Sequence, residues 1–333
     1  MKVVIAGGTG QVGNILIRYL HAAGHDCVVL TRKGQVAPSV QAEGKGAVQF
    51  VLWDGASLGT WVNELEGAGA IINLAGRSVN CRYHQQNLQA MMESRIESTR
   101  VIGIALSQAR LPPPVWLQAS TATVYAHRYD APNDEKSGVI GGTEIGVPAL
   151  WKKSVEIALA WEETLFRAST PNVRRVALRS AMVMSPDRGG IFDVLCSLAR
   201  RGLGGTQGSG DQFVSWIHET DFAHAVIFLL RRNDLHGAIN LCSPAPLPNR
   251  DFLHALRTSL GVRFAPRNPA WLLEIGAFFM RTETELILKS RRVIPGRLRQ
   301  EGYSFQFPTW AEAVADLVPR WKTEGLRFST AQR

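Results

Sequence analysis

The stretch that decides the fold is Lys2-Val3-Val4-Ile5-Ala6-Gly7-Gly8-Thr9-Gly10-Gln11-Val12-Gly13. A short apolar run reads as a strand. The glycines that follow read as a tight turn, and the turn opens directly into an amphipathic pattern. Val12, Ile15, Leu16, Tyr19 and Leu20 fall at i, i+3, i+4, i+7 and i+8, which places one apolar face along a helix that Gly24 ends. Glycines between a strand and a helix let backbone N–H groups approach a pyrophosphate at the positive end of the helix dipole. Gly7, Thr9, Gly10, Gln11, Val12 and Gly13 are therefore candidate dinucleotide contacts; the alternative is a structural turn with no nucleotide.

About twenty residues further on, an acidic residue closing the second strand would hold the adenosine 2′-hydroxyl of NAD. This chain has Val28-Val29-Leu30-Thr31-Arg32-Lys33 there, with no acid. Arginine offers a planar fork to a 2′-phosphate and Lys33 adds charge, so the expected cofactor is NADP. The alternative is a solvated Arg-Lys pair at a strand end. Asp54 follows the third strand, where it could meet the adenine. Leu74-Ala75-Gly76 closes the fourth, where small residues admit a close backbone approach; loop or packing duty is the other reading of each.

Beyond this unit, apolar runs recur at 28–30, 48–52, 70–75 and 115–119, separated by amphipathic stretches. Val-, Ile- and Leu-rich strands without alternation are strands covered on both faces, which implies a parallel sheet. A long helix is expected over about 84–109, ending before Pro112-Pro113-Pro114. A polar excursion follows over 126–148, then a helix over about 150–168, a strand at 173–179, a short aromatic strand at 213–217 and an apolar helix from Phe222 to Leu230. The expected fold class is α/β: a doubly wound, mostly parallel Rossmann sheet with a small, mainly helical C-terminal lobe. The expected division is a nucleotide-binding domain over 1–185, its sheet completed by parts of 213–242, and a substrate lobe over 186–325.

Composition narrows the function classes. The 333 residues are 45% hydrophobic, with 37 Lys and Arg against 28 acidic residues, a net charge of +9. The basic residues are scattered in pairs such as Arg174-Arg175 and Arg291-Arg292, without the runs or aromatic interleaving of a nucleic-acid surface, so the expected partner is an anionic small molecule. Oligomeric state is not legible in the sequence. The four cysteines lie far apart with no CxxC pair, and Cys27 and Cys242 sit in apolar runs, which suits a reducing compartment. The apolar stretch from Trp271 to Met280 is about half a membrane span and contains Glu274. A cytoplasmic protein that binds neither nucleic acid nor membrane is expected. His, Asp and Glu show no metal-ligand spacing, and no Gly-x-Ser-x-Gly elbow is present.

The Gly-Gly-Thr-Gly-x-x-Gly loop, Asn73-Leu74-Ala75-Gly76, Ser94-Arg95 and Ser120-Thr121-Ala122-Thr123-Val124-Tyr125 together resemble the extended short-chain dehydrogenase/reductases. Gly208-Ser209-Gly210-Asp211-Gln212, Trp216-Ile217-His218-Glu219-Thr220-Asp221, Arg292-Val293-Ile294-Pro295 and Gly302-Tyr303-Ser304-Phe305 narrow the resemblance to an atypical epimerase-family subgroup. That subgroup has a C-terminal domain of unknown function, here at about 270–320, and an old cell-division-inhibitor-like label. The resemblance implies NADP as cofactor, with Thr31, Arg32, Leu74, Ala75 and Arg95 among its contacts. It also implies a Ser or Thr hydroxyl for the substrate oxygen, which falls on Thr121.

The superfamily's Tyr-x-x-x-Lys pair is missing: Trp151 stands where the Tyr belongs and Val155 where the Lys belongs. An indole cannot act as a general base near neutral pH. Tyr125 is the candidate stand-in, with Lys152, Lys153, His127 and His218 as weaker ones; His218 sits in a motif that reads as fixing a turn. The expected function is an NADP(H)-dependent oxidoreductase or epimerase-like enzyme, and the other reading is an NADP(H)-binding sensor or scaffold without turnover.

Overall fold

The computed structural model describes residues 1–32, 46–269, 271 and 283–331. Lys33 and residues 272–280 of the late apolar stretch lie outside the described residues. In chain order the elements are β1 (Lys2–Ala6), α1 (Gln11–Ala22), β2 (Asp26–Thr31), β3 (Val48–Leu52), β4 (Ala70–Asn73), α2 (Gln85–Gln108), β5 (Val115–Thr121), α3 (Ala149–Arg167), β6 (Arg174–Ser180), β7 (Met182–Met184), α4 (Ile191–Arg200), β8 (Phe213–Val214), β9 (Trp216–His218), α5 (Glu219–Arg231), β10 (Gly237–Leu241), β11 (Leu247–Pro248), α6 (Asn249–Leu260), α7 (Glu285–Leu288), α8 (Gly296–Gln300) and α9 (Trp310–Ala331).

Seven strands form one parallel sheet in the order β10-β6-β5-β4-β1-β2-β3. The chain winds outward one way from β1 through β2 to β3. It then returns across to β4 and winds the other way. A crevice forms beyond the strands' C-terminal ends at such a reversal, because successive crossovers leave on opposite faces. The register brings those ends level: Ala6 pairs with Leu30 on one side and with Asn73 on the other, and Asn73 lies opposite Gln118.

The absence of alternation in the strands is explained by two cores. Val3 and Ile5 face one cluster with Ile15, Leu16 and Leu20 of α1 and Val226 of α5. Val4 and Ala6 face the other, with Val101 and Ile102 of α2 and Trp116 of β5. The apolar run at 48–52 departs from this pattern: β3 is the outer strand, only half-buried, and Leu52 is 69% exposed. Among the described residues it has a neighbour on one side alone, which leaves it half-buried. The aromatic run at 213–217 is divided. Phe213–Val214 pairs antiparallel with Leu247–Pro248, while Trp216–His218 pairs parallel with Met182–Met184, both outside the large sheet; β10 is the strand that extends that sheet.

The C-terminal region is mainly helical. Helices α4, α6 and α9 enclose a further core of Phe192, Trp216, Phe252, Trp310, Val314 and Trp321. Trp310 stacks on Phe252 at 4.1 Å between ring centroids and meets Trp216 edge-on at 4.9 Å. Much of the tryptophan content thus packs cores, as large apolar rings do. Among the described residues no helix is long and apolar enough to cross a membrane.

Candidate functional site

The glycine loop sits at the sheet's C-terminal edge, with each glycine set by a different constraint. Gly7 holds φ at +72°, and a Cβ there would lie 2.8 Å from the Ala75 Cα. A side chain is thereby excluded twice, by backbone conformation and by the neighbouring turn. A Cβ on Gly13 would lie 2.2 Å from the Gly8 carbonyl oxygen, so α1 packs directly on the loop. Gly10 differs: nothing lies within 4 Å of where its Cβ would be, and no side chain caps the helix it begins. The first N–H groups of α1 therefore face open space at the positive end of the helix dipole. Thr9 and Gly10 are exposed, while the Gln11 Nε2 is buried without a hydrogen-bond partner. An uncapped helix start, an open cradle and an orphaned amide nitrogen are what a pyrophosphate site requires, so these residues fit the phosphates of a dinucleotide.

The turn after β4 lies against this loop. Leu74 N donates to Ala6 O at 2.8 Å, and Asn73 Oδ1 accepts from Ala75 N at 3.0 Å. Asn73 is itself fixed by donating to Gln118 Oε1 at 3.0 Å. A Cβ on Gly76 would lie 3.3 Å from the Arg95 guanidinium carbon, so the glycine leaves room for that arginine. Arg95 is buried, donates to Met91 O at 3.0 Å, and lies 4.9 Å over the Trp161 ring. Gly7, Ala75, Gly76 and Arg95, distant in sequence, therefore form one chain of contacts.

At the far ends of β2 and β3, Thr31 is buried and Arg32 exposed. Asp54 is engaged locally: Oδ1 accepts from Ala56 N and Ser57 N, both at 2.9 Å, and Oδ2 accepts from the Ser57 hydroxyl. These bonds hold its pKa down to about 2, chiefly through Ser57, and give the carboxylate a loop-fixing duty.

Beside Arg95 lies a cleft of about 260 Å³, lined by Tyr83, Arg95, Thr121, Ser154, Trp161 and Glu285 among others. Thr121 ends β5 and caps the following turn, its Oγ1 accepting from Thr123 N at 3.1 Å. Under it runs a buried polar layer. The Ser120 hydroxyl donates to Glu162 Oε1 at 2.5 Å, and Arg179 grips the same carboxylate with Nε at 2.8 Å and Nη2 at 2.7 Å.

Tyr125, the candidate catalytic phenol, lies in this layer and is not among the residues lining the cleft. It is 2% exposed; its hydroxyl donates to Asn240 Oδ1 at 2.9 Å and accepts from Arg179 Nη1 at 3.0 Å. Burial raises its pKa, so it is a buried, fully bonded phenol.

The other stand-ins also have structural duties. His127 Nδ1 accepts from Ser290 N at 2.8 Å, and its ring packs on Trp151 with centroids 5.1 Å apart. His218 Nδ1 accepts from Thr220 N at 3.1 Å, capping α5, while Nε2 meets Asp316 Oδ2 at 3.0 Å. The turn-fixing reading of His218 matches this geometry. Lys152 and Lys153 are exposed, and Lys153 pairs with Glu156 at 2.8 Å. Trp151 and Val155 are buried and absent from the cleft lining.

Residues 283–294 carry what the sequence did not disclose. Glu283 Oε1 accepts from Tyr83 N at 2.7 Å, which anchors the segment against the loop before α2. Glu285 Oε2 accepts from the Ser154 hydroxyl at 2.5 Å. Lys289 Nζ donates to Thr123 O at 2.9 Å, and Arg291 Nε to Thr123 Oγ1 at 3.3 Å. Burial pushes the Glu285 carboxyl up, and burial with the nearby Arg291 pushes Lys289 down to about 8. Nothing in a linear reading joins a lone Glu-x-x-x-Lys to a serine more than a hundred positions earlier.

Comparison with known proteins gives the chain's relatives. Residues 268–317 match a domain of unknown function, DUF1731. The human epimerase family protein SDR39U1 is 29% identical over 321 residues, covering 96% of this chain and 100% of the human one. An epimerase family protein of Staphylococcus epidermidis is 26% identical over 95% of this chain and 99% of its own length. The crystal structure of human SDR39U1 with NADPH superposes with a TM-score of 0.80 at 28% identity, covering 96% of this chain and 99% of that one. UDP-N-acetylglucosamine 4-epimerase from Bacillus cereus shares the fold, with a TM-score of 0.69 at 17% identity over 95% and 98% of the two chains. Residues 3–242 match the NAD dependent epimerase/dehydratase family, and the chain belongs to that family.

Proposed function

We propose that the protein is an NADP(H)-dependent oxidoreductase or epimerase-like enzyme acting on a small carbonyl compound or alcohol. One observation carries the reading: adjacent strands β1, β4 and β5 bring the open glycine loop, the Gly76–Arg95 contact and Thr121 to one edge, with the cleft beside them. The human relative's crystal structure with NADPH supports the choice of cofactor.

Gly7, Thr9, Gly10, Gln11, Val12 and Gly13 would hold the pyrophosphate at the start of α1. Thr31 and Arg32, with Lys33 beyond the described residues, would take the adenosine ribose and its 2′-phosphate. Leu74, Ala75 and Gly76 would border the middle of the cofactor. Bound NADP supplies hydride exchange at nicotinamide C4. Thr121 orients the substrate oxygen in the cleft. Arg95 in the cleft lining, with the net charge of +9, favours an anionic small molecule as substrate. The free cysteines Cys27, Cys196 and Cys242, all buried, suit a reducing, cytoplasmic setting.

The second reading, a cofactor-binding sensor without turnover, is favoured by one observation: Trp151 and Val155 are buried core residues at the two positions of the missing acid–base pair. The test is a fluorescence titration with NADPH and NADH, followed by NADPH consumption across a panel of aldehydes, ketones and quinones. Tighter NADPH binding with turnover of at least one compound supports the enzyme. NADPH binding without any turnover supports the sensor, and equal or absent binding of both cofactors overturns both readings.

A further inference from the structure

Reduction of a carbonyl needs a proton as well as a hydride, and the superfamily's donor is missing here. Ser154 stands on α3 one position before Val155, and unlike Val155 it lines the cleft. Its hydroxyl donates at 2.5 Å to Glu285 Oε2, from a residue 131 positions away on α7. Glu285 is 2% exposed and lines the same cleft, yet its second oxygen, Oε1, is buried with no hydrogen-bond partner. Lys289 Nζ stands 3.7 Å from Oε1, beyond hydrogen-bonding range, and gives its bond to Thr123 O instead. With no hydrogen bond and only this long ion pair on Oε1, ionising the buried carboxyl carries a desolvation cost. Tyr83 lines the same cleft.

Building on the proposed oxidoreductase reading, we propose that Ser154 and Glu285 form the proton relay of this cleft, standing in for the missing Tyr-x-x-x-Lys pair. In the reducing direction the Ser154 hydroxyl gives its proton to the carbonyl oxygen while a dihydronicotinamide supplies two electrons and the hydrogen bound at carbon. The Ser154 hydroxyl turns from Glu285 toward the substrate as it does so, and its Oγ takes a carboxyl proton carried on Glu285 Oε2 in the same step. The products are an alcohol, the oxidised nicotinamide and the Glu285 carboxylate, which solvent reprotonates. Ser154 touches substrate; Glu285 acts through it as the proton store. The charged and titratable groups facing Glu285 are Tyr83 from the loop before α2 and Lys289 and Arg291 from its own segment. Burial raises the Glu285 pKa despite the two cations, the direction a proton store needs.

The experiment pairs infrared difference spectroscopy with turnover. In wild-type protein the carboxylic-acid C=O band of Glu285 should persist above the ordinary glutamate range and vanish as pH rises, with NADPH-dependent reduction falling along the same curve. Glu285→Gln should remove the band and lower turnover about a hundredfold, leaving NADPH affinity within about twofold of wild type. Ser154→Ala keeps the carboxyl but removes a hydrogen bond that favours its ionised form. Its band should therefore persist to higher pH while turnover falls by a comparable factor. Ser154→Ala also covers the case in which Glu285→Gln does not fold. A Glu285 ionised across the whole pH range, or a Glu285→Gln variant with wild-type turnover, would overturn the relay. Failure of the oxidoreductase reading is separately visible: wild-type protein would bind no NADPH or consume none, which removes the reaction and the relay with it, whatever the band does.

Discussion

A Cβ on Gly7 would lie 2.8 Å from the Cα of Ala75, so the first and fourth strands are joined beyond their ends by a contact that only glycine permits. Gly7→Ala should therefore fail as a fold element before it fails as a ligand contact. The positive φ alone costs about 1–2 kcal/mol, and displacement of the Ala75 turn adds to it. Gly10→Ala is the counterpart, with open space around its Cβ and an ordinary φ of −80°. It should lower stability by about 1 kcal/mol or less, the difference between a glycine and an alanine N-cap, yet weaken NADPH binding, because the methyl occupies the cradle. Urea unfolding and cofactor titration of the two variants should separate these effects; equal stability losses would contradict the assignment.

Arg32 is exposed just beyond β2, and in the proposed reading it takes the 2′-phosphate of NADPH. A hydrogen bond to a charged group contributes about 1.5–3 kcal/mol. Arg32→Ala should thus weaken NADPH about tenfold to a hundredfold and leave NADH affinity where it was. Parallel loss of both cofactors would point to a structural role instead.

His218 offers a pH prediction. Its ring is fully buried, and burial takes its pKa down to about 4 despite the Asp316 contact. Between about pH 6.5 and 4 the unfolded chain binds a proton there that the folded chain refuses, so stability falls as pH falls through that window. The shift corresponds to on the order of 3 kcal/mol. His218→Asn keeps a capping side chain for α5 but does not titrate. Its stability deficit relative to wild type should be largest near neutral pH and shrink toward pH 4 in chemical denaturation. A constant gap would show that the histidine does not drive the slope.

Tyr125 bridges Arg179 and Asn240 beneath the cleft. Tyr125→Phe should lower stability by about 1–3 kcal/mol, the cost of leaving buried polar partners unbonded, with turnover per folded molecule unchanged. Thr121→Val should do the reverse, because Thr121 lines the cleft. A large loss of turnover in Tyr125→Phe with unaltered stability would restore the catalytic role expected from its position in the sequence.

The nucleotide-binding half was legible in one dimension because it is local. A strand, its glycine turn and the helix face that follows lie within twenty residues, and each is dictated by backbone freedom, dipole and apolar spacing around Gly7, Gly10, Gly13, Ile15 and Leu16. The parallel sheet was equally legible, since strands covered on both faces lose their alternation. Burial at the sheet edge was not: nothing in Val48–Leu52 marks it as the outermost strand. The chemistry beyond the cofactor was still less accessible. Trp151 and Val155 announced in sequence that an acid–base pair was missing, but its replacement depends on Glu285 meeting Ser154 across 131 positions, and on burial that shifts a carboxyl and an amine without any motif. Sequence determined the frame and the cofactor loop through short-range conformational rules. Only the tertiary structure decided that Tyr125 is a buried strut and that the C-terminal segment brings Glu285 to the cleft, because desolvation and long-range hydrogen bonds exist only once the chain is packed.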